Sequence, residues 1–221
     1  MTMFADFSEI VLLSLRVSGT ALFFSALIGI PLGVLLGLKR FAGRRIFVAF
    51  MYTGMGFPPV VIGLFVYLLL SRSSPLSSLS LPWLPDLFTP AAMVLAQTII
   101  AFPLVAGFTM AAVMGVDPQL RQQVFSLGAT QLQAATTILW EAKTGVIVAI
   151  VAGFGSIISE VGAVMIVGGN IQHHTRVLTT AIVLETGKGN FELAVLLGLF
   201  LLGLSFIINT LMLRLQGKAF A

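Results

Sequence analysis

The chain has 221 residues, 58% of them hydrophobic and only 9% charged, with no cysteine and a formal net charge of +4. A soluble domain carries about 25% charged residues, so this composition excludes a water-soluble single domain, a disordered chain, a disulfide framework and a thiol-ligated metal site. The twelve Lys and Arg form no long basic run and give no argument for nucleic acid as a partner; what remains is a polytopic membrane protein, read as one transmembrane unit over residues 1–221.

A helical span takes about 20 apolar residues. Backbone groups in lipid must be satisfied within their own segment, so the spans are helices. Stretches free of Asp, Glu, Lys and Arg place the first span at Val17–Leu38, the second at Ile46–Ser71 and the third at Leu87–Val116. The fourth runs from Thr144 to about Val167 and contains one acid, Glu160; the fifth is Leu193–Leu213. The first lacks the short apolar core and cleavage site of a secretory signal and is read as retained. The expected fold is all-α, with about five transmembrane helices.

Lys39, Arg40, Arg44, Arg45, Arg121, Lys143, Arg214 and Lys218 fall on one side of this arrangement. Arg16, Arg72, Arg176 and Lys188 fall on the other, with the acids Asp6, Glu9, Asp86, Glu185 and Glu192. Basic residues favour the cytoplasmic side, so the N-terminus is expected outside and the C-terminus inside.

Pro58 and Pro59 lie near the middle of the second span. Proline removes an amide donor and clashes with the preceding turn, so a kink is expected there, with Gly54 and Gly56 weakening the helix further. The bend is either a gate lining a pathway, with Gly56, Pro58 and Pro59 as its residues, or a packing kink. The outer Ser71–Asp86 stretch, rich in Ser and Pro, reads as a solvated loop with Trp83 in the interfacial aromatic belt.

The most informative stretch is the inner loop Val116–Lys143. Asp117 can accept orphan amides as an N-cap and Pro118 needs no donor in the first turn, so a helix is expected over Pro118–Leu127. Gly128 stops it by tolerating a left-handed conformation. Thr130 can cap a second helix over Gln131–Trp140. Leu120, Val124 and Leu127 share one face of the first helix; Gln122, Gln123 and Ser126 hold the other. The pair lies against the inner membrane face or docks on another protein; the alternative is an ordinary loop with helical turns.

In the fourth span, Glu160 lies in the outer third. A carboxylate at the bilayer centre costs about 2.5–3.5 kcal/mol and less near an interface, so it should face protein or water, with Arg16, Ser156 and Ser159 as candidate partners. It is either a pathway or outer-gate residue or a hydrogen-bond anchor. Gly168, Gly169 and Asn170 are read as the end of the span. His173 and His174 are consecutive and cannot share a helix face, so they make a poor metal pair. Arg176–Thr186 is too short to span and reads as a re-entrant or interfacial helix, which needs protein or a water-filled cavity around it. The Gly-rich stretches Gly29–Gly37 and Gly198–Gly203 allow close helix packing. There are no paired carboxylates, no Ser/His/Asp set and no metal-ligand spacing, so no chemical change of a substrate and no bound metal are expected.

The inner loop resembles the coupling loop of ATP-binding-cassette importer permeases. In that motif Glu-Ala-Ala is followed by three residues, Gly, nine residues, Ile, one residue and Leu-Pro. Here Gln122, Gln123 and Val124 stand at the first three positions, Gly128 holds the glycine and Ile138 the isoleucine, while Trp140 and Glu141 replace Leu-Pro. Gly56–Leu64 (GFPPVVIGL) and Ser159–Asn170 (SEVGAVMIVGGN) are similar to the branch that imports molybdate, tungstate and sulfate. Asn170–Glu192 is most similar to the tungstate permeases. The resemblance implies a type I importer permease in a bacterial or archaeal cytoplasmic membrane, paired as a homodimer around one pathway. It implies a cytosolic ATPase dimer on the inner loops and an external oxyanion-binding protein. It also implies that Gln122, Gln123, Ser126, Leu127, Gly128, Ala129 and Thr130 sit in a cleft of the ATPase, with Leu127, Gly128 and Ala129 as main contacts.

The residues agree in one respect. Gly187 and Gly217 each precede a Lys, but neither has a Gly five positions earlier or a Ser/Thr after the Lys, so the chain has no phosphate-binding loop of its own. ATP and magnesium would belong to the partner ATPase, and this chain is expected to need no cofactor and to be no enzyme. A secondary transporter is the competing class; one span set without a duplicated half counts against it, although a homodimer could supply the repeat. An intramembrane enzyme would have only Glu160 and the two His to work with.

Overall fold

The computed structural model describes residues 2–72 and 84–215, and every regular element among them is an α-helix. In chain order these are α1 (Thr2–Leu38), α2 (Arg44–Met55), α3 (Pro59–Leu70), α4 (Pro90–Met114), α5 (Pro118–Ser126), α6 (Gln131–Glu141), α7 (Lys143–Ile158), α8 (Gly162–Gly168), α9 (Leu178–Gly187) and α10 (Phe191–Leu215). Trp83 and Lys218 lie outside the described residues, as does most of the Ser71–Asp86 loop.

Among the described residues α1, α4 and α10 are single helices long and apolar enough to cross a membrane, and the passes number up to five when each bent helix pair counts as one. The second pass is bent by 106° between α2 and α3. The fourth is α7 followed, after Ser159–Val161, by the short α8; at its inner end α6 meets α7 at 71°. The first span also begins earlier than the charge-free stretch, at Phe7 and not Val17. At 1.5 Å per residue, Arg16 stands about 33 Å from Leu38 and so at the outer edge of a hydrocarbon layer about 30 Å thick. A search for uncharged stretches stops at that arginine, although the helix continues into the interface.

α1 and α4 run parallel and form the central post. A Cβ on Gly29 would lie 3.2 Å from the Ala106 amide nitrogen. On Gly33 it would lie 2.6 Å from the Ala106 carbonyl, and on Gly37 2.8 Å from Val113 Cγ1. Three glycines at four-residue spacing thus bring one backbone against the other, the small-residue contact that drives helix association in membranes. Polar side chains finish the seam: Ser25 Oγ donates to Ala21 and Thr98 carbonyls at 2.8 and 3.1 Å, and Thr98 Oγ1 reaches the Ala21 carbonyl at 3.4 Å. Gly198 and Gly203 behave differently. A Cβ on either would meet nothing within 4 Å, so the close packing expected there is not made within this chain.

α2 packs on the middle of α4, where a Cβ on Gly54 would lie 2.8 Å from Pro103 Cγ. α7 packs lower and higher on the same post, through Gly145 against Ala112 and Gly153 against Val105. α9 is the short re-entrant element. Leu178, Thr179, Thr180 and Ala181 are buried, and its first amides are met by protein: Leu178 N–H donates to Ser14 Oγ at 2.8 Å and Val177 N–H to Thr180 Oγ1 at 3.1 Å. This meets the requirement for non-spanning backbone at membrane depth. α10 leans on α9 and α1, with Phe200 edge-on to Phe7, and exposes most of its surface.

The inner ends of α1 and α4 and the start of α7 share one end of the molecule with Arg44, Arg121 and Lys143. The basic loops therefore mark a single, cytoplasmic face.

The seam gives a direct prediction. Gly33→Leu forces a side chain into the Ala106 backbone and should destabilise the protein by about 1–3 kcal/mol, the range for overpacking. Gly19→Ala, on an open face of the same helix, should match the parent. Thermal unfolding in detergent compares the two.

Candidate functional site

Two regions carry the residues singled out by sequence. The first is the inner helix pair. Asp117 accepts from the Gln119 amide at 2.8 Å and Pro118 occupies the first turn of α5. The helix ends in a full Schellman arrangement: Gly128 N–H donates to the Phe125 carbonyl at 3.0 Å and Ala129 N–H to the Val124 carbonyl at 3.3 Å, with Gly128 at φ +81°. Thr130 then opens α6 with a capping box; Gln133 N–H donates to Thr130 Oγ1 at 3.3 Å and Thr130 N–H to Gln133 Oε1 at 2.9 Å. Two helices joined by four residues, with each facing end capped, make a stiff projection.

Its inner side packs on the spans. Leu120 joins Val113, Val116, Ile138 and Ala142 in one apolar cluster, and Ile138 is buried. Its outer side is apolar and uncovered. Leu127 is 87% exposed, Leu132 75% and Phe125 52%, beside exposed Gln122, Gln123, Ser126, Gly128 and Thr130; Ala129 is half-buried. This corrects the helical-face reading in one place. Leu120 and Val124 turn inward, but Leu127 does not join them, because α5 ends at Ser126 and the left-handed Gly128 follows at once.

The second region is a layer of broken helices. α2 closes at Gly56, whose N–H donates to the Thr53 carbonyl at 3.1 Å. Pro58 caps α3 and Pro59 is its first residue, so neither lacks a donor it would need. Gly56, Phe57 and Pro58 are exposed. Because Gly54 and Met55 pack on Pro103 and Gly107 halfway along α4, the bend sits at mid-membrane depth.

α7 ends at Ile158 in the outer third, and side chains meet three of the backbone groups at the break. Gln97 Nε2 donates to the Ile157 carbonyl at 2.9 Å, Thr179 Oγ1 to the Glu160 carbonyl at 2.9 Å, and Ala163 N–H to Glu160 Oε1 at 2.9 Å. Glu160 is 9% exposed. Its carboxylate caps the following segment and pairs with none of the candidates named from sequence; Ser159 Oγ donates instead to the Gly155 and Ser156 carbonyls.

The two breaks meet. A Cβ on Gly63 would lie 2.6 Å from Ala163 Cα, and one on Gly162 2.4 Å from Val60 Cγ2. α3 and α8 therefore touch backbone to backbone just beyond Pro59 and Glu160. Gln97, Thr179 and Gly63 were missed by the sequence reading. A signal existed for Gln97, the one amide side chain in an otherwise apolar third span.

Outside this layer lies a cavity of about 540 Å³ between α1, α9 and α10. His173 Nδ1 is 2.8 Å from Glu9 Oε2. Lys188 and Asn190 both donate to Glu185; the Lys188 bond foremost holds its carboxyl below the usual range. Among the described residues no group of three or more His, Asp or Glu could hold a metal ion.

Known proteins agree with this architecture. A probable anion ABC transporter permease of Haloferax volcanii is 42% identical over 215 residues, covering 95% of this chain and 90% of that protein. The tungstate uptake system permease TupB of Peptoclostridium acidaminophilum is 41% identical over 207 residues, 94% of this chain and 89% of that one. The molybdenum transport permease ModB of Escherichia coli K12 is 31% identical over 176 residues, 78% and 77%. Among solved structures, inward-facing MetNI methionine ABC transporter chains match with a TM-score of 0.80 at 19% identity, over 98% of this chain and 97% of that one, which shows a shared fold. Residues 29–219 match the binding-protein-dependent transport system inner membrane component family, and the chain belongs to it: it is a multi-pass membrane permease of that family.

Proposed function

We propose that this chain is the membrane-spanning subunit of an ATP-driven importer that takes up an oxyanion, tungstate first among the candidates. It works as a homodimer in a bacterial or archaeal cytoplasmic membrane. An external binding protein delivers the anion, and a cytosolic ATPase dimer, which holds ATP and magnesium, drives transport. The observation that carries this reading is the uncovered apolar tip of the inner helix pair, Phe125, Leu127 and Leu132, on a doubly capped scaffold. A large apolar patch facing water marks an interaction site. Gln122, Gln123, Ser126, Gly128, Ala129 and Thr130 form its polar and turn framework.

The cargo reading rests on the relatives at 41% and 42% identity, named for tungstate and for an anion. Molybdate is the second reading, supported by the 31% identical ModB. In the transport cycle, Gly56, Pro58 and Pro59 serve as the bend of the gate and Glu160 holds its neighbouring segment. A bare carboxylate would repel a dianion, so Glu160 acts on α8 and not on the cargo.

Four outcomes follow. In cells given tungstate, molybdate and vanadate together, loss of this gene should abolish tungsten accumulation, measured by mass spectrometry; loss of molybdenum alone would move the cargo to the second reading. Leu127→Asp should abolish both uptake and recovery of the ATPase with the permease. A Pro58→Ala/Pro59→Ala double variant should assemble with the ATPase yet transport nothing, and normal transport would remove the gate. For Glu160, Gln keeps the Oε1 acceptor and should unfold near the parent temperature, whereas Leu leaves the Ala163 amide buried and unmet at a cost of about 1–3 kcal/mol. A Glu160→Gln variant with altered anion preference and normal assembly would place that residue on the pathway after all.

A further inference from the structure

Two arginines counted above only for their charge make defined bonds at the inner face. Arg44, the first residue of α2, donates from Nε to the Leu36 carbonyl at 2.7 Å, in the last turn of α1, and its Nη2 lies 3.6 Å from Met114 Sδ at the end of α4. Arg121, in α5, donates from Nη2 to the Val113 carbonyl, in the last turn of α4. The final carbonyls of a helix have no intrahelical donor and carry partial negative charge, so a guanidinium suits them well. Without Arg121, the Val113 carbonyl keeps a long 3.4 Å contact from the Val116 amide and a share of the Gly115 amide, whose other acceptor is the Ala111 carbonyl.

The surroundings of Arg121 sharpen the point. α5 does not pack tightly against the spans. Between it and the inner ends of α4 and α7 lies a cavity of about 580 Å³, lined by Ala112, Gly115, Leu120, Gln123, Glu141 and Gly145. Across this gap the Arg121–Val113 bond is the one hydrogen bond between α5 and α4 among the described residues. Arg121 Nε is buried with no hydrogen-bond partner there, so the side chain reaches the junction with its stem and Nε out of solvent. The side chain lies with Leu120 and Val124 on the half-buried side of α5, while Gln122 and Ser126 are exposed. A helix that is loosely packed yet tied by a charged arm to the end of a span can pass displacement along that arm.

We propose that Arg121 is a positioning residue for coupling: it ties the ATPase-facing helix pair to the inner end of α4, so that movement of α5 is delivered to the post and not absorbed in the gap. Arg44 holds the inner end of the bent second span to the same place. The proposal rests on the docking reading given above.

The test uses the assembled transporter, permease with its ATPase in proteoliposomes, given tungstate-loaded binding protein. Recovery of ATPase with the permease, basal ATP hydrolysis, and stimulation of hydrolysis and uptake by the loaded binding protein are read side by side. Arg121→Met keeps the aliphatic stem and removes the donors. It should bind ATPase as the parent does and lose stimulation by about tenfold, the loss expected for one hydrogen bond from a charged donor. Arg121→Lys, still able to donate to a carbonyl, should recover most of it. Should the Met variant fail to reach the membrane, Arg121→Leu, which also lacks a donor, is read in its place. Full stimulation without the donors would overturn the proposal. So would a loss of stimulation only in proportion to lost assembly, or a Lys variant as impaired as Met. If Leu127→Asp leaves the ATPase bound, the docking reading falls instead, and that result is separable from anything seen at Arg121.

Discussion

The contact on which the rest of the molecule depends is the glycine seam between α1 and α4. In lipid, helices gain little from burying apolar side chains, because the acyl chains are as apolar as leucine; close backbone approach is what holds them. Gly29, Gly33 and Gly37 supply that approach along the inner half of α1, and Ser25 and Thr98 add hydrogen bonds further out. The second and fourth passes are placed by reference to this pair. α2 meets it through Gly54, α7 through Gly145 and Gly153, and α8 through Gly168 against Met93. The repeated device is a small residue against the post, which leaves these elements free to break elsewhere.

Breaking a helix inside a membrane releases amides and carbonyls that water cannot serve, and each unmet group costs several kcal/mol. The two breaks solve this differently. At Gly56–Pro59 the problem is reduced at source, since two consecutive prolines have no amide to satisfy. At Ser159–Val161 there is no proline, and three side chains from three places serve instead: Gln97 from α4, Thr179 from α9 and Glu160 itself. This gives the buried acid a reason to exist without contact to cargo. It also explains the short α9, whose buried start brings Thr179 to the break.

Much of this was legible in the chain. The pass count, the inner face, the Asp117, Gly128 and Thr130 caps and the end of the fourth span at Gly169 all follow from local chemistry, which the fold leaves intact. What was not legible depends on contacts between distant segments. The start of α1 was misplaced because Arg16 looks like a boundary in one dimension and is an interface residue in three. A kink at Pro58 could be read, but not its 106° angle, which goes with the packing of Gly63 on Ala163, in a distant part of the chain. Leu127 has the spacing of an inward residue, and the early stop of α5 turns it out. Glu160 was seen as unusual, but its partner lies three residues on, in a helix that the apolar pattern had merged with α7.

These contacts connect the two candidate regions without a gap. Leu127 directly follows α5; Arg121 of α5 holds the Val113 carbonyl of α4; the middle of α4 holds Gly54 and Met55 of α2; the bend follows at once, and beyond it α3 rests on α8 and the Glu160 break. Contiguity alone is not coupling, which requires an element with two arrangements that both ends bias. The physical content lies in the kind of contact. Most of these links are a backbone or a short side chain against a glycine, and one is a guanidinium on a carbonyl; few have a long flexible side chain to absorb displacement. Packed interfaces of this sort switch between discrete arrangements and do not deform continuously. A shift imposed on the inner pair must then appear where the path is soft. Along this path the soft points are the exposed turn at Gly56–Pro58 and the loosely filled gap under α5, one at the proposed gate and the other beside the arginine that spans it.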